Sequence, residues 1–248
     1  MIGGTPGGDE RPDLTFLTPT LDPTAASLTK TLDAIDEARR SGLRAEHVVI
    51  DGGSSDEIRE LVSKRPRTRL IDAPGANISD SLSTGWSAAT GRYVMVMNAG
   101  DVPTTGLSGA LETLDRGGAG VGVFAVLDEQ GSITRPRWRG SVLRSTWIHA
   151  GMIARGDLLE SCGGYDRRYQ FAMDWEWLSR AERQGVAIEF LGNEEPVVLM
   201  EPFGLSRQRA LSSAGEFLDV ARRDIASRWT RLLVLGRHLP SWFVAFVR

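Results

Sequence analysis

The sequence lacks several features that would each direct a different interpretation. Its one cysteine, Cys162, excludes an internal disulfide bond and is typical of a reducing compartment. No stretch reaches the roughly 18 consecutive apolar residues of a membrane-spanning helix. The formal net charge of −3 argues against nucleic acid as the main partner. These absences predict a globular protein of the cytoplasm whose partners are not nucleic acids.

The centre of the chain has the composition of an ordinary folded domain. The chain has 248 residues, of which 41% are hydrophobic and 25% charged, enough for one large domain with a full core. Residues 1–13 are rich in glycine and contain neither lysine nor an apolar run. We therefore expect them to form a flexible tail, and neither a phosphate-binding loop nor a secretion signal.

Residues 211–248 form an unusual end. After Asp224 this segment has no acidic residue, and it mixes leucine, valine, tryptophan and phenylalanine with arginine. Two interpretations remain open. The segment is either an amphipathic surface helix in peripheral contact with the inner face of a membrane, or a terminal helix packed on the domain or on the second subunit of a homodimer.

Strand and helix patterns alternate through the first half of the chain, which predicts crossover connections and a mainly parallel sheet. In the second half, residues 121–127 and a piece near 133 look like antiparallel strands. The predicted strands are 14–18, 47–50, 69–71, 93–97, 121–127, a piece near 133, 152–154, 188–191 and 197–200, and the predicted helices are 25–40, 54–64, 78–90 and 174–183. Ser54 and Glu57 have the spacing of a capping box for the second helix, and Gly91 is a candidate C-terminal cap of the third.

Polar residues follow three of the buried strands in the first half. The first ends in Thr18-Pro19-Thr20, the second in Asp51-Gly52-Gly53 and the fourth in Asn98-Ala99-Gly100-Asp101. In open α/β sheets, ligands bind at the carboxyl ends of the strands. For Asp51 two explanations are balanced: a carboxylate that recognises a ligand approaching over the glycines, or a tight turn that needs glycine. A plain turn is also the alternative for Asp101.

Three further residues have both a structural and a chemical explanation. Asp80 lies in the first turn of a predicted helix, where the helix dipole favours an acid. Asp174 also begins a helix, but Glu176 can form a solvated ion pair with Arg180 one turn later, whereas Asp174 has no charged residue at that spacing. Asp174 is therefore the better candidate for chemistry. His149 lies in an apolar stretch, which is more typical of a hydrogen-bonded structural residue than of a catalyst.

Taken in chain order, these pieces resemble the family 2 glycosyltransferases of GT-A fold. The likeness rests on TPT, VVIDGGSSD, ISDSLSTGWSAATGRYVMVMNAGD, IHAGMIARGDLLESCGGYDRRYQFAMDWEWLSR and FGLS, which run through residues 14–210. Each motif is weak alone, but their order and spacing are specific. The resemblance implies a three-layer αβα sandwich with a mainly parallel nucleotide-binding half, about 14–101, and a mixed acceptor half, about 102–210.

The resemblance also implies a reaction. A sugar would move from a nucleoside diphosphate sugar, with UDP favoured, to a hydroxyl of a glycan, a lipid-linked saccharide or a small molecule, with inversion at the sugar carbon. Asp101 would hold Mg²⁺ or Mn²⁺ on the diphosphate, Asp174 would be the general base, and His149 would lie near the diphosphate or the acceptor. The implied donor-binding residues are Thr18, Pro19, Thr20, Asp51, Gly53, Asp80, Asn98, Ala99, Gly100 and, in a mobile loop, Ser206.

One departure from the family pattern bears on the metal. The NAGD motif keeps a single carboxylate, Asp101, where many relatives have two or three, so phosphate oxygens and water would supply most ligands. Two alternatives stay open. A nucleotidyltransferase would use a similar sheet, but it needs a glycine-rich loop with a basic residue after the first strand, where this chain has TPTLDPT. A non-catalytic nucleotide- or sugar-binding relative would explain why the motif keeps only one carboxylate.

Overall fold

The computed structural model describes residues 11–21, 23–201 and 210–224. The strands are β1 Leu14–Thr20, β2 Ala45–Asp51, β3 Thr68–Asp72, β4 Tyr93–Val96, β5 Val102–Pro103, β6 Val121–Phe124, β7 Val126–Asp128, β8 Ile133–Thr134, β9 Met152–Arg155, β10 Ile188–Leu191 and β11 Val198–Met200. The helices are α1 Ala25–Arg40, α2 Asp56–Ser63, α3 Ile78–Ala88, α4 Gly106–Gly117, α5 Leu158–Cys162, α6 Met173–Arg183 and α7 Ala210–Asp224.

Seven strands form the main sheet, in the order β10-β6-β9-β4-β1-β2-β3. β1 pairs in parallel with β2 and with β4, and β2 pairs in parallel with β3. β9 runs antiparallel to both β4 and β6, whereas β10 runs parallel to β6. The first half of the chain therefore builds the parallel part of the sheet, as expected, and the second half adds a mixed part beside β4.

Helices cover both faces of this sheet because its strands are apolar on both sides. In β1, Leu17 belongs to a core shared with α3 and α6, whereas Phe16 belongs to a core shared with α1 and α4. A third cluster joins α1 and α2 over Val49 of β2. Buried parallel strands need cover on both faces, and the result is the three-layer αβα sandwich that the sequence predicted.

A small second sheet, in the order β5-β11-β7-β8, follows from a break in one predicted strand. Residues 121–127 do not form a single strand, because β6 joins the main sheet and β7 joins the small one. The change occurs at Ala125, whose carbonyl accepts from the N–H of Val197 at 3.0 Å. The expected antiparallel pairing of these pieces is confirmed, because β6 pairs antiparallel with β9 and β7 with β8. On their other sides β6 pairs in parallel with β10, and β7 with β11.

The predicted start of α2 is wrong by about two residues. The helix begins at Asp56, with Ser55 as the residue before it. Ser54 remains in the preceding turn because its N–H donates to Oδ1 of Asp51 at 2.7 Å. Ser54 and Glu57 therefore do not occupy the positions of a capping box.

The predicted role of Gly91 at the end of α3 is also wrong. The helix ends at Ala88 and is capped by Ala89. Gly91 instead crosses β1 closely, where a Cβ atom would lie 2.6 Å from the backbone nitrogen of Thr15, and its N–H donates to Oγ1 of Thr15 at 2.9 Å. Glycine is needed here for a close approach of two backbones.

Aromatic side chains hold α6 in place. Trp177 lies 5.0 Å from Trp86 and 6.0 Å from Tyr165, measured between ring centroids. At the start of the helix, Trp175 lies 5.0 Å from Trp147. All five rings are buried, and a buried side chain of this kind contributes about 1.5–3 kcal/mol or more. The position of α6 is therefore set by packing along its whole first half.

The described part of the C-terminal segment is α7. Val220 belongs to the core that contains α6, and Phe217 packs edge-on against Trp175 with ring centroids 5.9 Å apart. The packing interpretation is thus confirmed for α7, while residues 225–248, on which membrane contact or a homodimer would also rest, lie outside the described residues. In the three described ranges, no helix has the length and apolar character to cross a membrane.

Candidate active site

The carboxyl ends of β1, β2 and β4 lie side by side at one edge of the main sheet. Thr20 lies opposite Asp51 in the register of β1 and β2. The N–H of Met97, directly after β4, donates to the carbonyl of Leu17 at 2.9 Å. Because these strands run parallel, the three polar motifs that follow them meet at the same edge, as the sequence predicted.

The hydroxyl of Thr18 is used within the sheet. It donates to the carbonyl of Met97 at 2.6 Å and lies 2.8 Å from Nε2 of His47; since its one proton goes to Met97, it accepts from His47. Burial, with the charge of Arg39, lowers the pKa of His47 to about 3 and keeps the ring neutral. Thr18 therefore joins β1 to its neighbours, and Pro19 is the more accessible residue of this predicted nucleotide contact.

The carboxylate of Asp51 is held by its own turn. Oδ1 accepts from the N–H groups of Gly53 and Ser54 at 3.0 and 2.7 Å, and Oδ2 pairs with Arg59, which also holds Asp72. Asp51 is 1% exposed, and burial raises the pKa of its carboxyl, but these donors outweigh burial and the pKa is below its usual range. Gly53 has a φ of +124°, which favours glycine. The geometry supports the turn explanation; ligand recognition by Asp51 stays a prediction.

Asp101 lies in a tightly bonded loop after β4 and is 3% exposed. Oδ2 accepts from the backbone and side-chain nitrogens of Asn98, both at 3.2 Å, and Oδ1 accepts from the N–H of Glu201 at 3.0 Å. Thr31 of α1 holds the same loop, since its hydroxyl accepts from the N–H of Gly100 and donates to the carbonyl of Asp101, both at 2.8 Å. These hydrogen bonds therefore hold the loop and the carboxylate of Asp101 in a fixed position.

Glu201 is a second carboxylate at this loop, and the sequence analysis missed it. It covers the backbone of Gly100 so closely that a Cβ atom there would overlap its carboxylate, and its Oε1 accepts from the hydroxyl of Ser27 at 3.2 Å. Burial raises the pKa of Asp101, and the negative charge of Glu201 raises it further. The signal was present, because Glu201 follows an apolar strand directly, as the other site residues do.

The acids at this edge form a pair and not a larger group. Among the described residues, no three or more His, Cys, Asp or Glu side chains converge in a way that would hold a metal ion. Asp101 and Glu201 are therefore the carboxylates that the described chain offers to a cation at the end of β4. Carboxylate oxygens are the ligands that Mg²⁺ and Mn²⁺ prefer.

Asp80 lies at the start of α3, as predicted. Its N–H donates to the side chain of Asn77, which caps the helix, at 2.9 Å, and its carboxylate, 36% exposed, lies 3.3 Å from a guanidinium nitrogen of Arg167. The neighbouring Ser79 donates to the carbonyl of Tyr169. The start of α3 therefore contacts the segment that leads into α6; contact of Asp80 with a donor stays a prediction.

Asp174 is the second residue of α6 and is 9% exposed. Oδ1 accepts from the N–H of Trp175 at 2.9 Å, and among the described residues no cation pairs with this carboxylate. Burial raises the pKa of Asp174 to about 7, and the negative charge of Glu216 contributes to the rise. A carboxyl with a pKa near the working pH is suited to general acid or base catalysis.

The neighbouring pair of Glu176 and Arg180 forms as predicted, but it is not solvated. The two side chains meet at 2.9 and 3.0 Å and are largely buried. Arg180 also donates to the carbonyls of Cys162 and Gly164. The pair therefore fixes the turn before Tyr165, a role that the sequence spacing alone did not indicate.

Tyr165 lies in the field of Asp174, and His149 contacts Tyr165. Nε2 of His149 lies 3.1 Å from the hydroxyl of Tyr165. Burial lowers the pKa of His149 to about 4, so the imidazole is neutral at pH 7 and is a weaker base than the carboxylate. Burial raises the pKa of Tyr165, and the charge of Asp174 raises it further, which places the phenol in the field of that acid. Tyr165 was missed as a site residue, although it lies in the same family motif as His149 and Asp174.

The predicted residues thus fall into two groups. One lies at the edge of β1, β2 and β4, and the other lies at the start of α6. The start of α3, with Asp80, connects them through the hydrogen bond from Ser79 to the segment before α6. Ser206, with the predicted mobile loop at 204–206, lies outside the described residues.

Solved structures share this fold at low sequence identity. S. aureus TarS superposes with a TM-score of 0.67 at 14% identity, over 92% of this chain and 43% of that chain, so the protein spans less than half the length of the TarS chain. The 1–349 fragment of TarS in complex with UDP-GlcNAc gives a TM-score of 0.66 at 16% identity, over 92% and 71%. Mannosyltransferase PcManGT from Pyrobaculum calidifontis, in complex with GDP-Man and Mn²⁺, gives 0.65 at 18% identity, over 92% and 69%.

The sequence itself decides the family. No curated protein matches it. The family model described as Glycosyl transferase family 2 matches residues 15–176, well over half of the chain, and this span contains both groups of site residues apart from Glu201 and Ser206. The chain therefore belongs to glycosyl transferase family 2.

Proposed function

We propose that the protein transfers a sugar from a nucleoside diphosphate sugar to an acceptor hydroxyl, with inversion at the sugar carbon. The observation that carries the proposal is Asp174, a buried acid without a cationic partner among the described residues, whose pKa of about 7 suits a base. The segment before its helix accepts a hydrogen bond from Ser79 at the start of α3.

The donor would lie along the ends of β1, β2 and β4. Solved relatives of this fold hold UDP, UDP-GlcNAc and GDP-Man, and we favour a UDP-sugar here. Pro19 and the small residues Ala99 and Gly100 would border the diphosphate, with Asp80 and Ser206 as further contacts. The single, buried Cys162 suits an enzyme of the reducing cytoplasm.

A divalent cation, Mg²⁺ or Mn²⁺, fits the pair of Asp101 and Glu201. The two carboxylates converge on one glycine-containing loop, and no cationic side chain among the described residues compensates their charge. When bound, a cation would stabilise the negative charge on the leaving diphosphate. The protein would supply two oxygen ligands at this point, so phosphate oxygens and water would complete the coordination.

Asp174 would act on the acceptor. Its carboxylate takes the proton of the acceptor hydroxyl while the hydroxyl oxygen attacks the anomeric carbon from the face opposite the diphosphate. The bond between that carbon and the diphosphate oxygen breaks, and the nucleoside diphosphate leaves with the electron pair. A positioned base of this kind contributes ~10²–10⁴-fold to the rate. Tyr165 and the neutral His149 would hold the side of the carboxylate away from the acceptor.

The test is a screen of UDP- and GDP-sugars with Mn²⁺ or Mg²⁺ and with saccharide and lipid-linked acceptors. Release of nucleoside diphosphate with formation of a glycosylated acceptor of opposite anomeric configuration is the expected result. Release of pyrophosphate from a nucleoside triphosphate and a sugar phosphate would instead identify a nucleotidyltransferase. Donor binding in calorimetry with no turnover for any acceptor would identify a non-catalytic binding protein.

A further inference from the structure

The turn before α6 is held by one side chain from a distant part of the sequence. Glu216 of α7 accepts from three consecutive backbone N–H groups: those of Gln170 at 2.9 and 3.0 Å, Phe171 at 2.7 Å and Ala172 at 2.9 Å. Hydrogen bonds from backbone N–H groups to a carboxylate are charge-assisted and stronger than neutral ones. Four such bonds on one carboxylate make this a strong local restraint.

The restrained turn leads directly to Asp174. Ala172 is the residue before the first helical residue of α6, and Asp174 is the second residue of the helix. The first backbone N–H groups of a helix have no partner within it, so the direction in which a helix starts depends on what holds the turn before it. Here that partner is the carboxylate of Glu216.

Two further contacts seat α7 on the same segment. Phe217 lies edge-on to Trp175, with ring centroids 5.9 Å apart. One turn along the helix, Asp219 accepts from the hydroxyl of Tyr169 at 2.6 Å. Glu216 therefore lies on a helix that itself packs against the start of α6.

We propose that Glu216 is a positioning residue for the reaction, which holds the start of α6 so that the carboxylate of Asp174 faces the acceptor. The inference rests on the proposed function, because it takes Asp174 as the base. It goes beyond that function by assigning a role to α7, which lies after the residues that the family model matches.

The negative charge of Glu216 has a second effect, on the pKa of Asp174, that an uncharged side chain at this position would not have. The ionisable groups that face Asp174 are Glu216 from α7 and the phenol of Tyr165, to which His149 is bonded. The negative charge of Glu216 disfavours ionisation of Asp174. Replacement of Glu216 by glutamine should therefore lower the pKa of Asp174, besides loosening the turn.

The experiment compares Glu216→Gln with the matched control Asp219→Asn. Both variants neutralise an acid on α7 that contacts the segment before α6, but Asp219 bonds to a side chain and not to the three N–H groups. The readouts are the melting temperature, kcat, KM for the donor, and the pKa of Asp174 measured by carbon-13 NMR of the carboxyl groups, with Asp174→Asn to assign the signal.

We expect Glu216→Gln to lower kcat on the order of 10-fold to 100-fold, because small misplacements of a reacting group have effects of this size. The KM for the donor should stay within about twofold, and the pKa of Asp174 should fall. Asp219→Asn should melt earlier while keeping kcat and the pKa of Asp174. Glu216→Asp, which keeps the charge on a shorter side chain, should keep the pKa raised and recover part of kcat.

The inference is overturned if Glu216→Gln melts earlier, as Asp219→Asn does, yet keeps both kcat and the pKa of Asp174. Its failure is separable from that of the proposed function. If the wild-type protein transfers no sugar, the proposed function fails, while the NMR titration still shows whether Glu216 acts on Asp174. If Glu216→Gln does not fold, Glu216→Asp is measured in its place. The inference is then overturned if this variant keeps the wild-type kcat and the pKa of its Asp174 is no longer raised.

Discussion

Asp51 and Asp174 are both buried aspartates, and their carboxyl groups have pKa values shifted in opposite directions. Asp51 is 1% exposed and has a lowered pKa, whereas Asp174 is 9% exposed and has a pKa raised to about 7. Burial alone raises the pKa of both. The difference lies in their partners: two N–H groups and the guanidinium of Arg59 surround Asp51, whereas Asp174 has backbone N–H groups, no cation among the described residues, and the repulsion of Glu216.

This contrast distinguishes a carboxylate with a structural role from one that is suited to catalysis. A carboxylate whose lone pairs are filled by its own turn contributes to stability and has little capacity left for a substrate. A buried carboxylate without a cationic partner remains costly to ionise, and such a raised pKa is typical of groups that exchange protons in a reaction. In the proposed reaction, the start of α6 would therefore supply the base, and Asp51 would mainly shape the edge of the donor half.

The largest effect that would sharpen this contrast is expected for Asp174→Asn. Asparagine keeps the shape and the bond from the N–H of Trp175, but it cannot take a proton, so kcat should fall on the order of 10²-fold or more while the donor dissociation constant stays unchanged. The measurement is steady-state kinetics together with calorimetry. Glu176→Gln is the matched control: it should melt earlier, because Arg180 loses its buried partner, and keep most of its turnover number.

Asp174→Asn should also change how stability depends on pH. The folded-state pKa of Asp174, about 7, lies above the unfolded value of about 3.9. Its contribution to stability is therefore greatest at low pH and is lost as the pH rises through about 7. The variant should gain stability relative to the wild type between pH 4 and pH 8, by as much as a few kcal/mol, in denaturant titrations at each pH. A difference that is constant with pH would contradict the raised pKa.

Metal-dependent binding is the next largest effect. Asp101→Asn should weaken the binding of UDP in the presence of Mn²⁺ by about 10-fold or more, since a contact to a charged group is worth about 1.5–3 kcal/mol. Glu201→Gln should weaken it as well, because both carboxylates would face the cation. Calorimetry with and without Mn²⁺ measures this. If neither variant changes the Mn²⁺-dependent part of the affinity, the cation is not held by this pair.

Asp51→Ala should act mainly on stability. It leaves two N–H groups and Arg59 without their acceptor, which should lower the free energy of unfolding by about 1–3 kcal/mol. Because the folded-state pKa of Asp51 is lowered, this contribution is present at neutral pH and is lost as the pH falls through that pKa. Asp72→Asn removes the exposed partner of Arg59 and should have a smaller effect. A normal melting temperature with weaker nucleotide binding would restore the recognition role of Asp51.

The smallest effect is expected for Asp80→Asn. This acid is half-exposed, and its partner Arg167 is more exposed still, so the ion pair and the helix dipole together contribute no more than about 1 kcal/mol. Thermal unfolding should therefore change little. A clear rise in the donor dissociation constant in calorimetry would show that Asp80 contacts the donor, whereas no change in either measurement would leave it a helix-start acid.

The sequence predicted well those features that repeat over many residues. Alternating strands and helices indicated the parallel half of the sheet, and the apolar strands ending in polar residues placed Thr20, Asp51 and Asn98 at one edge. These predictions succeed because strand direction fixes where strand ends meet. The helix that carries Asp174, and the lack of a helical partner for this residue, were also predicted from spacing alone.

The parts that failed depend on contacts between distant residues. The predicted cap of α2 at Ser54 is wrong because the hydrogen bond from the N–H of Ser54 to Asp51 cannot be seen in the local sequence pattern. Glu201 and Glu216 were missed because each reaches its loop from a segment some 100 or 45 residues away along the chain. The place of Glu201 directly after an apolar strand was a signal for a site residue, but no helical or strand period connects either residue with the loop that it contacts, so these contacts become visible only when the elements are packed.

The two close pairs of tryptophans in the core affect the circular dichroism of the protein. Trp147 and Trp175 lie 5.0 Å apart with ring planes tilted by 34°, and Trp86 and Trp177 lie 5.0 Å apart with a tilt of 47°. Aromatic rings held in fixed tertiary packing give a circular dichroism signal in the near ultraviolet, and this signal is lost when the fixed packing is lost. Because Trp175 follows Asp174 directly, this signal reports the packing of α6 by an optical measurement that needs no substrate.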